Sequence, residues 1–139
     1  MKLSVKSDYA VRAVLALARR HSSDTATRVE TIAAEHGIPP NYLVQILIEL
    51  KSGGLVRSQR GKAGGYRLAR PPAEISFGEV LRCVHGPLFD SPAFGDPTCP
   101  PELRQCWNRL RNAVEGEASR IHFQELIDAA SEKDRMFYI

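Results

Sequence analysis

Gly54-Leu55-Val56-Arg57-Ser58-Gln59-Arg60-Gly61-Lys62-Ala63-Gly64-Gly65-Tyr66-Arg67-Leu68-Ala69 reads as two short strands around a glycine-rich turn. Leu55–Arg60 forms the first strand and Tyr66–Ala69 the second, with Gly61, Gly64 and Gly65 at the turn. Arg57, Arg60, Lys62 and Arg67 make the hairpin basic. Such a hairpin can place arginine in a narrow, electronegative minor groove and bring glycine amides near phosphates.

Two short helices precede the hairpin. One starts at Thr27 and Glu30, spaced as a T-x-x-E capping box, and ends at Gly37. The next starts at Pro40, where proline costs no intrahelical hydrogen bond. Leu43, Ile46, Leu47 and Leu50 form its apolar face, and Gly53-Gly54 ends it. Asn41, Tyr42 and Gln45 lie away from that face, near the helix start. A recognition helix presents its N-terminal side chains to base edges in this way. Asn and Gln can pair with adenine, and Tyr can meet base or phosphate. The helix pair alone is weak support, since many small domains contain one; the basic hairpin turns the reading to DNA. The plan is a winged helix-turn-helix.

Outward from this unit, a helix from about Lys6 to His21 carries Ala10, Ala13, Val14 and Leu17 at helical spacing. Beyond Pro71-Pro72, Ser76 and Glu79 make a second capping box. Phe77, Val80, Leu81 and Val84 form the apolar face of the helix that follows. Gly86 to Pro101 holds five of the nine prolines and reads as a loop. A long helix follows, from about Glu102 to Arg120. Trp107, Leu110, Val114, Ala118 and Ile121 alternate spacings of three and four, as in a coiled-coil seam. A second copy of the chain or its own core must cover that seam. Phe123–Ala130 reads as a short helix and Ser131–Arg135 as a polar spacer. Met136, Phe137, Tyr138 and Ile139 form an apolar tail.

The expected fold is mainly α with a small β wing. Residues 1–85 form the DNA-binding unit, 86–101 the Pro-rich loop, 102–130 the dimerisation helix with a short C-terminal helix, and 131–139 the tail. The net charge of +3 is divided unevenly. Residues 1–70 hold 12 Lys/Arg against 5 Asp/Glu, whereas residues 71–139 hold 7 against 11. The basic half suits a polyanion partner. No run of 18 apolar residues suggests a membrane span, and Met1-Lys2-Leu3-Ser4 has no signal-peptide core, so a cytoplasmic protein is expected. No phosphate loop, nucleophile elbow or carboxylate pair argues for an enzyme. His21, His36, His85 and His122 lack metal spacing.

Met1–Ser4, Asp8-Tyr9-Ala10-Val11-Arg12, Gly37-Ile38, Tyr42-Leu43-Val44-Gln45 and the stretch Gly54–Tyr66 resemble the Rrf-two family of winged-helix regulators. The resemblance covers nearly the whole chain. It implies a homodimer joined by the long C-terminal helix, with one recognition helix and one wing on each half of a double-stranded operator. It assigns Tyr42, Gln45 and Arg60 to DNA contact; the reading of the helix and hairpin above adds Asn41, Val44, Arg57, Lys62, Gly64 and Gly65 as candidates. Many relatives carry Glu at the position of Val44. Valine cannot accept from a cytosine amino group but can pack on a thymine methyl, so the operator is expected to differ from that of the iron–sulfur members.

Cluster-binding relatives hold three cysteines in the loop before the long helix. Here only Cys99 and Cys106 stand there, and Ser91-Pro92-Ala93 occupies the neighbourhood of the first. Asp8 is a further candidate ligand, because an aspartate of the partner subunit completes the cluster in some nitric-oxide-sensing relatives. Three ligands fall short of the four that an iron–sulfur cluster takes. A thiol switch between Cys99 and Cys106, or two inert thiols, are the other readings. Cys83 reads as a small half-buried hydrophobe.

The tail Met136-Phe137-Tyr138-Ile139 resembles that of the family's cysteine-metabolism repressors. It implies docking to O-acetylserine sulfhydrylase (cysteine synthase), whose active site accepts peptides ending in isoleucine. The implied mechanism is that the enzyme strengthens repression when O-acetylserine is scarce, while O-acetylserine competes the tail away. The other reading of these residues is a tail folded onto the dimer helices.

Overall fold

The computed structural model describes residues 2–23 and 25–137. Among the described residues, six α-helices and one two-stranded sheet follow in the order α1 (Val5–Arg19), α2 (Val29–His36), α3 (Pro40–Ser52), β1 (Val56–Gln59), β2 (Gly65–Leu68), α4 (Phe77–Val84), α5 (Pro101–Arg120) and α6 (Phe123–Phe137). The architecture is mainly α with a small β wing.

The main core forms where four apolar faces meet. Ser4 caps α1 by accepting from the Ser7 amide at 3.3 Å. That start sets the phase that buries Ala10, Ala13, Val14 and Leu17. Helix α3 buries Leu43, Ile46, Leu47 and Leu50 completely, and α4 adds Val80. The Ser76–Glu79 capping box is present in both directions, with N···O distances of 3.1 and 3.0 Å. Gly37 ends α2 in the left-handed region, at φ 64°. A residue with a Cβ would be strained there.

The chain reaches α6 through a backbone bridge. Phe77 N–H donates to the Ile121 carbonyl at 2.7 Å, and Phe123 N–H to the Ile75 carbonyl at 3.1 Å. This threads Phe123 fully into the core, stacked on Phe77 with ring centroids 5.9 Å apart. Leu126 and Ile127 of α6 pack on the same core.

Three features differ from the sequence-based expectations. Thr27 does not cap α2. Its backbone is drawn into a bridge with Tyr66, so the helix starts one residue later, after Arg28, with no side-chain cap. Helix α6 continues to Phe137, through the stretch expected to be a polar spacer. The charged residues there are good helix formers, and nothing breaks the helix after Ala130. Of the expected tail, Met136 and Phe137 therefore lie in a helix, while Tyr138 and Ile139 fall outside the described residues.

The long helix does not present one continuous seam. Val114 and Ala118 pack on Leu81 and Leu88 of the same chain. Trp107 is half-buried beside Phe89, with ring centroids 6.1 Å apart. Leu110 is 50% exposed, as is Leu103 at 48%. Ile121 lies just past the helix, in extended backbone. The proposed seam thus divides between an inward face and an outward one.

Glu115 holds α5 to the rest. Its two oxygens accept from the Leu88 amide at 3.1 Å and from Arg82 at 2.7 Å. Burial pushes its carboxyl up, but the Leu88 amide and the Arg82 guanidinium outweigh that, and the net direction is below the usual carboxylate range. A depressed folded-state pKa gives stability that is full above the unfolded value and lost as pH falls through the folded one. Glu115→Gln should therefore melt below the wild type at neutral pH, with the gap closing on acidification through and below the usual carboxylate range. Thermal melts across a pH series check this.

A candidate DNA interface

Asn41, Tyr42 and Gln45 are exposed on the first turns of α3, and Val44 is half-buried beside them. The opposite face is the buried row of leucines and isoleucine, so the helix cannot rotate without exposing its core side. Ile48 continues the outer face and is 46% exposed.

The wing follows directly. β1 and β2 pair antiparallel with Val56 opposite Leu68, Arg57 opposite Arg67, Ser58 opposite Tyr66 and Gln59 opposite Gly65. Val56 and Leu68 are buried against the core, which roots the hairpin. Thr27 adds a third backbone partner: it exchanges two hydrogen bonds of 2.8 Å with Tyr66.

Gly64 and Gly65 serve this geometry. A Cβ on Gly64 would lie 2.6 Å from the Gln59 carbonyl and 2.7 Å from that of Gly61. Gly65 has φ 149°, and a Cβ there would overlap the Thr27 carbonyl. Both glycines allow the strand to turn and to press against Thr27.

Two side chains tie the wing to the helices. Lys51, in the last turn of α3, donates to the Ser58 hydroxyl at 2.8 Å. Arg28, at the start of α2, donates to the Lys62 carbonyl at 3.0 Å. Sequence reasoning missed Arg28, Lys51 and Ser58. Arg28 and Lys62 stand 34 positions apart, and no short-range pattern links them.

Ion pairing varies over the surface. Lys6, Arg12, Arg20, Arg70, Arg82 and Arg120 are each paired with a carboxylate. Arg57, Arg60, Lys62 and Arg67 form no such pair among the described residues, and Arg19, Arg104, Arg109 and Arg111 also lie outside any ion pair there. Arg57, Arg60 and Lys62 are also exposed. The wing therefore offers unneutralised cations, which attract a polyanion.

A second surface lies on α5. Besides Leu103 and Leu110, an apolar groove of about 450 Å³ is lined by Leu3, Phe77, Leu88, Ala113, Val114 and Ile121. Among the described residues, no helix is long and apolar enough to cross a membrane.

Within one chain, the candidate metal ligands do not assemble among the described residues. Asp8 is held by Arg12 through contacts of 3.0 and 3.2 Å. The Cys99 thiol faces the Pro100 carbonyl at 3.6 Å, and Cys106 is an exposed free thiol. Cys83 lies elsewhere, donating to the Glu49 carbonyl at 3.4 Å. Burial, then the Glu49 carboxylate, push its thiol up, so it stays protonated and poorly reactive. No three His, Cys, Asp or Glu side chains among the described residues come together to hold a metal ion.

Residues 3–129 match the family described as "Rrf2: Iron-dependent Transcriptional regulator". The chain is 45% identical over 122 residues to a Mycobacterium tuberculosis protein named by type, as an HTH-type transcriptional regulator; the match covers 82% of this chain and 73% of that protein. It is 31% identical to the HTH-type transcriptional regulator CymR of Bacillus subtilis, with both chains fully covered. The structure of CymR, the global cysteine regulator of B. subtilis, superposes with a TM-score of 0.83 at 29% identity; 93% of this chain and 98% of that one are covered. Regulators of this family bind DNA and are generally dimeric, and they are not enzymes. The basic wing, the α3 helix beside it and the match over residues 3–129 agree: the chain belongs to the Rrf2 family of winged-helix transcriptional regulators.

Proposed function

We propose that the chain is a sequence-specific repressor that binds its operator as a homodimer. Helix α3 enters the major groove with Asn41, Tyr42, Val44 and Gln45. The wing tracks the neighbouring backbone, with Arg60 in the minor groove, Arg57 and Lys62 on phosphates, and the Gly64 and Gly65 turn close to the duplex. The observation that carries this reading is the set of exposed cations Arg57, Arg60 and Lys62 on a wing tied to α3 through Lys51 and Ser58. Arg60→Ala should weaken operator binding by about 1–3 kcal/mol. Lys62→Ala should mainly lower the salt dependence, since it removes one phosphate contact. Fluorescence titration at fixed and varied salt tests both; unchanged operator affinity of Arg60→Ala sinks the assignment of the wing.

The dimer is built on the outer face of α5, where Leu103 and Leu110 stand half exposed. Two apolar side chains one heptad apart suit the helix of a second copy.

The regulated process is cysteine metabolism. Full-length similarity to CymR supports this, together with the tail Met136-Phe137-Tyr138-Ile139. Met136 is 79% exposed at the end of α6. Exposed apolar residues at a helix end can dock into an apolar pocket of a partner. The partner is O-acetylserine sulfhydrylase. Deleting Ile139 should abolish binding to that enzyme in calorimetry and leave the dimer intact. Absence of micromolar binding by the full chain would remove the cysteine-metabolism assignment.

A further inference from the structure

We propose that Tyr9 of α1 is a positioning residue for specific DNA readout: its ring presets the Tyr42 ring at the start of α3. This rests on the reading of α3 as the recognition helix. The two rings meet edge to face, with centroids 5.7 Å apart and planes at 77°. That arrangement sets the positive edge of one ring against the negative face of the other. Tyr9 is half-buried and packed on the main core, so its own ring is fixed. Tyr42 is 40% exposed, so part of its ring remains available to a ligand.

An exposed aromatic side chain otherwise samples several rotamers, and ordering it on binding costs entropy. A ring already ordered by Tyr9 avoids that cost. The neighbouring turns of α1 support the same orientation. Lys6 donates to Glu49 of α3 at 2.7 Å, and Arg12 donates to the carbonyl of His36, the last residue of α2, at 3.2 Å. Three positions along α1 thus hold both helices of the helix-turn-helix. Tyr9 is the one among them that touches a side chain aimed at the bases. An edge-to-face contact needs the ring and not the hydroxyl, so Phe should replace Tyr9 and an aliphatic residue should not.

The test uses the full chain at fixed salt and two duplexes of equal length. One is selected by the protein from a random-sequence pool, and the other is scrambled. Tyr9→Leu and Tyr9→Met should weaken binding to the selected duplex about three- to ten-fold. Binding to the scrambled duplex should not change. Tyr9→Phe should stay within about two-fold of the wild type on both. In a Tyr42→Ala background, Tyr9→Leu should cause no further loss, because the ring it positions is gone. Equal losses on both duplexes, or an undiminished loss in the Tyr42→Ala background, would overturn the proposal and leave Tyr9 as packing alone. If Tyr42→Ala itself leaves the selected duplex bound as tightly as before, the recognition-helix reading fails and this proposal falls with it.

Discussion

Leu103→Asp combined with Leu110→Asp should convert the dimer to monomers while each chain stays folded. Both side chains are about half exposed on the outer face of α5, so an aspartate there is solvated in a lone chain. In a dimer built on this face the same carboxylates are buried against the apolar side chains of a partner helix. Each costs on the order of several kcal/mol in that setting. Val114 is unsuitable for the test, because it packs on Leu81 and Leu88 within its own chain, and a charge there damages the monomer. Sedimentation at micromolar concentration should report a single-chain mass. Binding to a two-half-site duplex should lose its tight phase, while binding to one half-site persists weakly. A dimer that survives both substitutions would place the interface elsewhere.

Gly65→Ala should disable the wing. A methyl group at this position overlaps the Thr27 carbonyl, and φ 149° is unfavourable for an L side chain in any case. Relief requires the Thr27–Tyr66 bridge to open, with loss of two hydrogen bonds of 2.8 Å. Strain and lost bonds together amount to ~2–4 kcal/mol. The damage should stay near the hairpin, since Val56 and Leu68 remain rooted in the core. Hydrogen exchange should accelerate at the amides of Thr27 and Tyr66, and operator affinity should fall at least as far as in Arg60→Ala. Normal exchange at both amides would show that the bridge does not need the glycine.

Much of the fold is legible in the chain because local signals and burial agree. The row Leu43, Ile46, Leu47 and Leu50, the proline at its start and the glycines after it define α3 without reference to any distant residue. The same holds for the Ser76–Glu79 capping box and for the glycine-tipped hairpin. The failures occur where a distant partner competes. Thr27 has the spacing of a cap, but Tyr66 takes its backbone, and the helix begins after Arg28. The apolar residues of α5 have seam spacing, but the sequence does not reveal that α4 covers Val114 and Ala118 and leaves Leu103 and Leu110 outside. The polar run Ser131–Arg135 lacks apolar periodicity, so it resembles a spacer, yet it continues α6.

The candidate site divides in the same way. Its exposed side chains can be read from residue type and position. The links that aim them cannot: Lys51 to Ser58, Arg28 to Lys62 and Tyr9 to Tyr42 all join separate elements. Asp8, a candidate ligand by resemblance, is paired with Arg12 one helical turn away, a spacing that the sequence does contain.

Selection of duplexes from a random-sequence pool by the purified protein, followed by titration of the enriched site with the wild type and Gln45→Ala, tests the central claim most directly. The account predicts an inverted repeat with half-sites about 10 base pairs apart or a multiple of that. It also predicts that Gln45→Ala loses discrimination at one matched position in each half-site while scrambled-sequence affinity is retained. A pool that yields no enriched sequence, or an enriched site bound equally well by Gln45→Ala, would contradict it.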